Sequence, residues 1–257
     1  MLVCTACTTL PPSVNPPSSL PTLIPTATAE RLPTIDGTWH KLADGIELRL
    51  LEAPGLPVQV IRVDPDRVRF VVGYEPTTPR TLSVWVAQYG AVAAINGGFF
   101  DSRGEPVALL ISNQQAVGES YVNQGGMFAI DDNGTPYLWS LAERPYDGTP
   151  FAQAMQGWPL LVRSDGSAAY TSDDNQRARR SAIALDRSGH VLLIVAPAAS
   201  FSLAEWSQFL AATDLEIAIA MNLDGGSSTG LIAQSQYGSV RIDSFVPLPF
   251  ALLVLPL

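Results

Sequence analysis

Two short stretches hold the residue types that chemistry needs: Asn96-Gly-Gly-Phe-Phe-Asp101 and Asn222-Leu-Asp-Gly-Gly-Ser-Ser228, each at the end of an apolar run. In both, an asparagine can donate to and accept from a hydroxyl, and paired glycines let successive backbone N–H groups converge on an anion. A carboxylate stands near each pair, Asp101 in one and Asp224 in the other, and either could manage a proton. If the two turns meet, they make one site. Asn96 and Asn222 would bond sugar hydroxyls, and the amides of Gly97, Gly98, Gly225 and Gly226 would receive phosphate oxygens. Ser227 and Ser228 would complete the substrate-binding set. Taken singly, each stretch also reads as an ordinary strand end or hairpin turn whose polar side chains bond the local backbone.

Positive charge is scarce, with fifteen Lys and Arg against twenty-four Asp and Glu and a net charge of −9. That balance argues against nucleic acid as a partner and requires any anionic substrate to be held locally. Arg177, Arg179 and Arg180 cluster against this background. Arg180 opens a strand, so its planar donor fork could reach a cleft and serve as the anion ligand. The plainer reading is a solvated cluster offsetting Asp173 and Asp174. The two histidines are poorly set for catalysis, since His40 borders a spacer and His190 lies by a hairpin turn. A serine hydrolase using Ser227 is therefore the rival enzyme class but lacks a base in context. Both cysteines, Cys4 and Cys7, fall at the extreme N-terminus, so no thiolate or sulfur-ligated metal is expected in the folded part. No cofactor or metal site is expected, though an oxygen-ligated calcium or magnesium ion on Asp224 or Asp101 stays open.

The elements that must position these residues follow from periodicity. Ile217 to Met221 is apolar without interruption, the signature of a strand covered on both faces. Ahead of it, Ser202-Leu-Ala-Glu205 is a capping box, and Leu203, Trp206, Phe209 and Leu210 mark the buried face of a helix. The first turn has the same antecedents. Leu82, Trp85, Val86 and Tyr89 predict a helix stopped by Gly90, and Ala91 to Ile95 a buried strand. Strands are further expected at Ile46 to Leu51, Pro57 to Val63 and Arg67 to Tyr74, with a hairpin from Arg180 to Val195 and a closing strand from Phe250 to Leu255. The fold class is α+β, a single domain of strand-rich mixed sheets with a few packed helices, over residues 35–257.

Residues 8–34 are built from Pro, Ser, Thr and short aliphatics and read as an extended spacer. Residues 1–7, Leu2-Val-Cys-Thr-Ala-Cys7 above all, resemble the end of a bacterial lipoprotein signal, with lipid expected on Cys7. The chain is thus expected outside the cytoplasm, secreted or anchored through that lipid. An envelope carbohydrate-binding module is the non-enzymatic alternative.

Four motifs in this order, Asn96-Gly-Gly-Phe-Phe-Asp101, Gly157-Trp-Pro-Leu-Leu-Val162, Arg180-Ser-Ala-Ile-Ala184 and Asn222-Leu-Asp-Gly-Gly-Ser-Ser228, resemble the phosphodiester glycosidase domain family. The likeness spans roughly residues 60–257. Many members carry three glycines where this chain has Gly225 and Gly226, and a glycine where it has Ala184. The resemblance implies hydrolysis of a sugar-1-phosphodiester of a glycoconjugate or envelope polymer. It casts Arg180 and the Gly225 and Gly226 amides as phosphate ligands and Asp224 as the group that activates water or supports a cationic sugar. Asn96, Asp101 and Asn222 would position hydroxyls.

Overall fold

Two helices, each followed by a buried strand and a glycine turn, set the architecture. The computed structural model describes residues 35–172, 175–235 and 238–257. The expected lipoprotein remnant with Cys7 and the 8–34 spacer lie outside the described residues. The first half of the chain forms β1 (His40–Ala43), β2 (Ile46–Leu51), β3 (Val58–Val63), β4 (Val68–Tyr74), α1 (Leu82–Tyr89), β5 (Ala93–Asn96), β6 (Leu110–Ser112), β7 (Gln115–Val117) and β8 (Gly126–Ile130). The second half adds β9 (Pro136–Ser140), β10 (Gln153–Gly157), β11 (Leu160–Val162), β12 (Ala178–Asp186), β13 (Val191–Phe201), α2 (Leu203–Ala211), β14 (Ile217–Asn222), β15 (Leu231–Ser235), β16 (Gly238–Ile242) and β17 (Phe250–Pro256).

These strands make three sheets, ordered β1-β2-β3-β13-β12-β14-β11, β7-β6-β10-β8-β9 and β16-β15-β5-β17-β4. The strand-rich α+β class holds. Among the described residues the paired strands run antiparallel throughout, rather than in the mixed sheets expected. The three opening strands also part company: β2 and β3 pair with each other, whereas β4 joins the third sheet beside β17.

One face of every sheet turns inward. Leu48, Ile61 and Met221 from the first, Phe128 and Met155 from the second, and Ile95 and Leu252 from the third share one buried cluster. Strand alternation sends the next residues to the outer faces, which the helices cover on the first and third sheets. Trp206 and Leu210 of α2 pack on Val60, Ala184, Ile194 and Ala220, and Leu82 and Trp85 of α1 pack on Val71, Ala94 and Leu253. Fully burying one such aliphatic or aromatic side chain contributes about 1.5–3 kcal/mol.

The helix ends explain how the strands are aimed. Ser202 and Glu205 form the expected capping box at α2, each side chain bonding the other residue's backbone N–H. Helix α1 has no such cap from Thr81. Its first N–H groups donate instead to distant side chains, Leu82 N to Ser244 Oγ at 3.2 Å and Ser83 N to Asp243 Oδ1 at 3.0 Å. This fastens the connection between β16 and β17 to the helix. Gly90, with φ of 63°, then ends α1 in the left-handed conformation and turns the chain into β5.

Candidate active site

The C-terminal ends of β5 and β14 belong to different sheets, yet they meet. Asp224 N donates to Gly97 O at 3.1 Å, and Asn96 Nδ2 donates to Asp224 O at 2.7 Å. The other side of the Asn96 amide is equally engaged, its Oδ1 accepting from Ser181 Oγ at 2.7 Å and Gly230 N at 3.0 Å. Asn96 is wholly buried. The expectation that its side chain bonds sugar hydroxyls is corrected by this geometry: its donors and acceptors already tie β5, β12 and the Asp224 turn together. Gly97 and Gly98 are packing residues for the same reason. A Cβ on Gly98 would stand 2.5 Å from Gln156 O, and one on Gly97 would run into the Phe250 ring.

What faces the junction is the second turn. Asp224 is half-buried, and its Oδ1 accepts from Gly225 N at 2.9 Å. Burial pushes its carboxyl above the ordinary value of 3.8, opposed by hydrogen bonds from Ser228 and the Gly225 amide. That is the condition of a group able to hold a proton at a milder pH than a surface aspartate. Gly225 lies against the start of β12, so a Cβ there would sit 2.9 Å from Arg179 O and 3.9 Å from Arg180 Nη1. Arg180 is itself buried and oriented by carbonyls, its Nε donating to Phe201 O at 3.0 Å and its Nη2 to Gln176 O at 2.6 Å. Gly226 has φ of 59° and an open side, with no atom within 4 Å of a built Cβ. Only glycine adopts that conformation without strain.

Asn222 is held at one end only. Its Nδ2 donates to Trp158 O at 2.9 Å, while its buried Oδ1 has no hydrogen-bond partner. Trp158 packs edge-on against Tyr170 beside it. Ser227 is exposed, and its carbonyl accepts from Phe245 N at 2.8 Å. Ser228 is buried, with its backbone N–H closing the turn onto Gly225 O at 3.1 Å.

Asp101 departs from its expected role. Its Oδ1 accepts from the N–H groups of Arg103 and Glu105 at 2.8 and 3.0 Å, and its Oδ2 from the Arg103 guanidinium. The Glu105 amide first, then Arg103, holds this carboxyl below the ordinary value, so it stays ionised as a turn cap rather than carrying protons. His190 bonds Asp186 at the far end of β12 from Arg180, and His40 bonds Asp36 near β1, so neither imidazole serves Ser227. Among the described residues no three His, Cys, Asp or Glu side chains are grouped to hold a metal ion.

Two residues beside the turn had no role assigned from the sequence, although Arg179 stood out there as one of a cluster of three arginines. The Arg179 guanidinium lies 4.0 Å from the centre of the Phe245 ring and donates through Nη2 to Asp243 O at 3.3 Å. Its Nε and Nη1 are buried without a partner, and burial lowers its pKa. An exposed cation–π contact contributes about 0.5–1 kcal/mol, whereas each buried donor left unpaired costs about 1–3 kcal/mol. Nothing in the sequence distinguishes Phe245 from any other surface aromatic.

Antiparallel sheets whose strand ends converge on a half-buried carboxylate, a guanidinium and a glycine turn define a strand-rich scaffold with a polar junction between two of its sheets. Residues 89–255 match the phosphodiester glycosidase family, and the chain belongs to that family. No functionally curated protein matches the sequence. Among solved structures, the catalytic domain of zebrafish N-acetylglucosamine-1-phosphodiester alpha-N-acetylglucosaminidase, auto-inhibited by its pro-peptide, superposes with a TM-score of 0.61 at 19% identity, covering 82% of each chain. A hypothetical protein from Synechocystis gives 0.59 at 18% identity over 84% of this chain and 63% of the other. At such identities the likeness is one of fold.

Proposed function

We propose that this chain hydrolyses the glycosidic bond of a sugar-1-phosphodiester, releasing the sugar and leaving a phosphomonoester. The observation that most supports this is the junction itself: the Asp224 carboxylate, the Arg180 guanidinium and the Gly225–Gly226 turn stand together, locked to the Asn96 loop by direct hydrogen bonds. A phosphomonoester has a second pKa of about 6, so it departs as an anion without first receiving a proton. Cleavage at the anomeric carbon then needs stabilisation of negative charge more than an acid. One carboxylate suffices, which suits a site where Asp101 is committed to its own turn. Arg180 and the amide of Gly226 hold the phosphate, while the Gly225 amide, already donating to Asp224, orients that carboxylate. Asp224 takes a proton from the attacking water or, ionised, supports the positive charge growing on the sugar. The unpaired Oδ1 of Asn222 accepts from a sugar hydroxyl. Asn96 acts through these groups by fixing the turn.

The decisive experiment is a panel of sugar-1-phosphodiesters assayed for reducing-sugar release. N-acetylglucosamine comes first, being the sugar named in the zebrafish relative. A carbohydrate-binding module would bind members of the panel and release nothing. Arg180→Lys is expected to lower kcat/KM by about 10²-fold, because an ammonium cannot keep both carbonyl anchors and still present a donor to the phosphate. An unchanged kcat/KM would remove Arg180 from the anion site.

The same proposal places the activity outside the cytoplasm, anchored through Cys7, on the strength of the 1–34 composition. Among the described residues no helix is long and apolar enough to cross a membrane. Metabolic labelling with a fatty-acid analogue is expected to mark the full-length chain and not its Cys7→Ala variant. Equal labelling of both would rule out this anchor.

A further inference from the structure

We propose that Arg179, beneath the ring of Phe245, is a second anion subsite, and that the preferred substrate carries another phosphate on its aglycone, beyond the phosphodiester. The inference rests on the glycosidase reading and extends it to the other side of the cleaved bond.

Arg179 lies at a register shift in the β12–β13 pairing, between Ala178 and Arg180, and the two arginines reach different partners. Arg180 reaches the Gly225 turn, whereas Arg179 reaches Asp243 and Phe245. Along the turn the order is Asp224, then Gly225 and Gly226, then Ser227, whose carbonyl holds Phe245. A substrate with its anomeric carbon at Asp224 and its phosphate at the Gly226 amide therefore continues toward Arg179.

The backbone on that side is fixed. Phe245 N is bonded to Ser227 O, and the neighbouring Asp243 and Ser244 are bonded to the start of α1. The Phe245 side chain is another matter, since the residue is 75% exposed and its ring meets the guanidinium. Exposed side chains change rotamer on the picosecond to nanosecond scale. Turning the ring aside opens the guanidinium face it covers to a ligand, and two donors of that guanidinium, Nε and Nη1, are buried with no partner. An incoming phosphate oxygen satisfies them, which one stacked ring cannot do. Phe245 is thus a displaceable cover, and Arg179 the cation it keeps from bulk solvent.

The test compares two substrates of one sugar: the methyl ester of N-acetylglucosamine-1-phosphate, and the diester whose aglycone is glycerol 3-phosphate. The wild-type chain is expected to favour the second by about tenfold or more in kcat/KM at low salt, the worth of one charge-assisted contact. Added salt should shrink the ratio. Arg179→Ala should abolish the preference, Arg179→Lys should keep part of it, and Phe245→Ala should lower KM for the glycerol 3-phosphate substrate. Equal kcat/KM for the two substrates, or a preference that survives Arg179→Ala, overturns the subsite. If Arg179→Ala does not fold, Phe245→Ala decides alone, and a raised KM counts against the inference. Release from neither substrate defeats the glycosidase reading instead. Calorimetry with glycerol 3-phosphate then decides the subsite, with binding weakened about tenfold in Arg179→Ala expected and equal binding overturning it.

Discussion

Asp224→Asn is expected to cut sugar release by roughly 10³-fold or more while leaving the fold intact, the scale on which a positioned acid–base group contributes. The substitution keeps shape and one acceptor for the Gly225 amide, so the turn survives and only the ionisable carboxylate is lost. Stability supplies a second readout of the same group. Burial raises the Asp224 pKa above 3.8, so the folded chain holds that proton more tightly than the unfolded chain does. The native state therefore loses stability as pH rises from 3.8 through the raised folded value, because an ionised carboxylate must then be kept half-buried. Asparagine has no such dependence. The variant should gain on the wild type across that window and keep its advantage above it, as urea denaturation at several pH values would reveal. The acid limb of the rate profile should track the same raised pKa if the ionised form does the work. Wild-type turnover in the variant would dismiss Asp224 from the mechanism. A stability difference flat with pH would show that the carboxylate titrates normally.

Periodicity and turn chemistry made much of this molecule legible before its fold was known. The Ser202 capping box, the Gly90 stop, the β12–β13 hairpin and the closing β17 strand all depend on local patterns, and the structure keeps each. Local patterns fail where the partner is remote. Strand β10, Gln153-Ala-Met-Gln-Gly157, has no β-branched residue and two amides, so it does not read as a strand. Its glutamines are buried because they bond distant groups: Gln153 Oε1 accepts from Val72 N, and Gln156 Oε1 from Tyr121 N. The site divides in the same way. That the Asn96 and Asp224 turns would converge was readable from their repeated design. Which residues would be consumed in joining them was not. Asn96 and Asp101 carry the right chemistry for substrate, but one is spent on Ser181, Gly230 and Asp224 and the other on Arg103 and Glu105. Spacing cannot separate a free polar group from a used one. Arg179 is the converse, a residue with no motif whose value lies in two donors left unmatched.

Asn96→Ala should be among the most damaging single substitutions in this chain, destabilising it by about 3–5 kcal/mol. The side chain is wholly buried, and its removal strands Gly230 N, Ser181 Oγ and Asp224 O away from solvent together. Each buried polar group left unsatisfied costs about 1–3 kcal/mol, and the void left by the amide adds to that. Folded domains hold about 5–15 kcal/mol in reserve, so the variant should still fold at low temperature, which allows its activity to be measured. There kcat is expected to fall by about 10²-fold, since the Asp224 turn loses one of the two bonds that set its distance from the end of β5, and a shift of about 1 Å can cost that much. Denaturant titration should lower the midpoint without changing the slope. Ser181→Ala alone should cost less, and the double variant less than the sum, because both act through one hydrogen bond. An Asn96→Ala loss below about 1 kcal/mol, under the range for even one stranded buried group, would mean that the two turns are held together by something else. The catalytic proposal would then lose the rigidity on which its geometry depends.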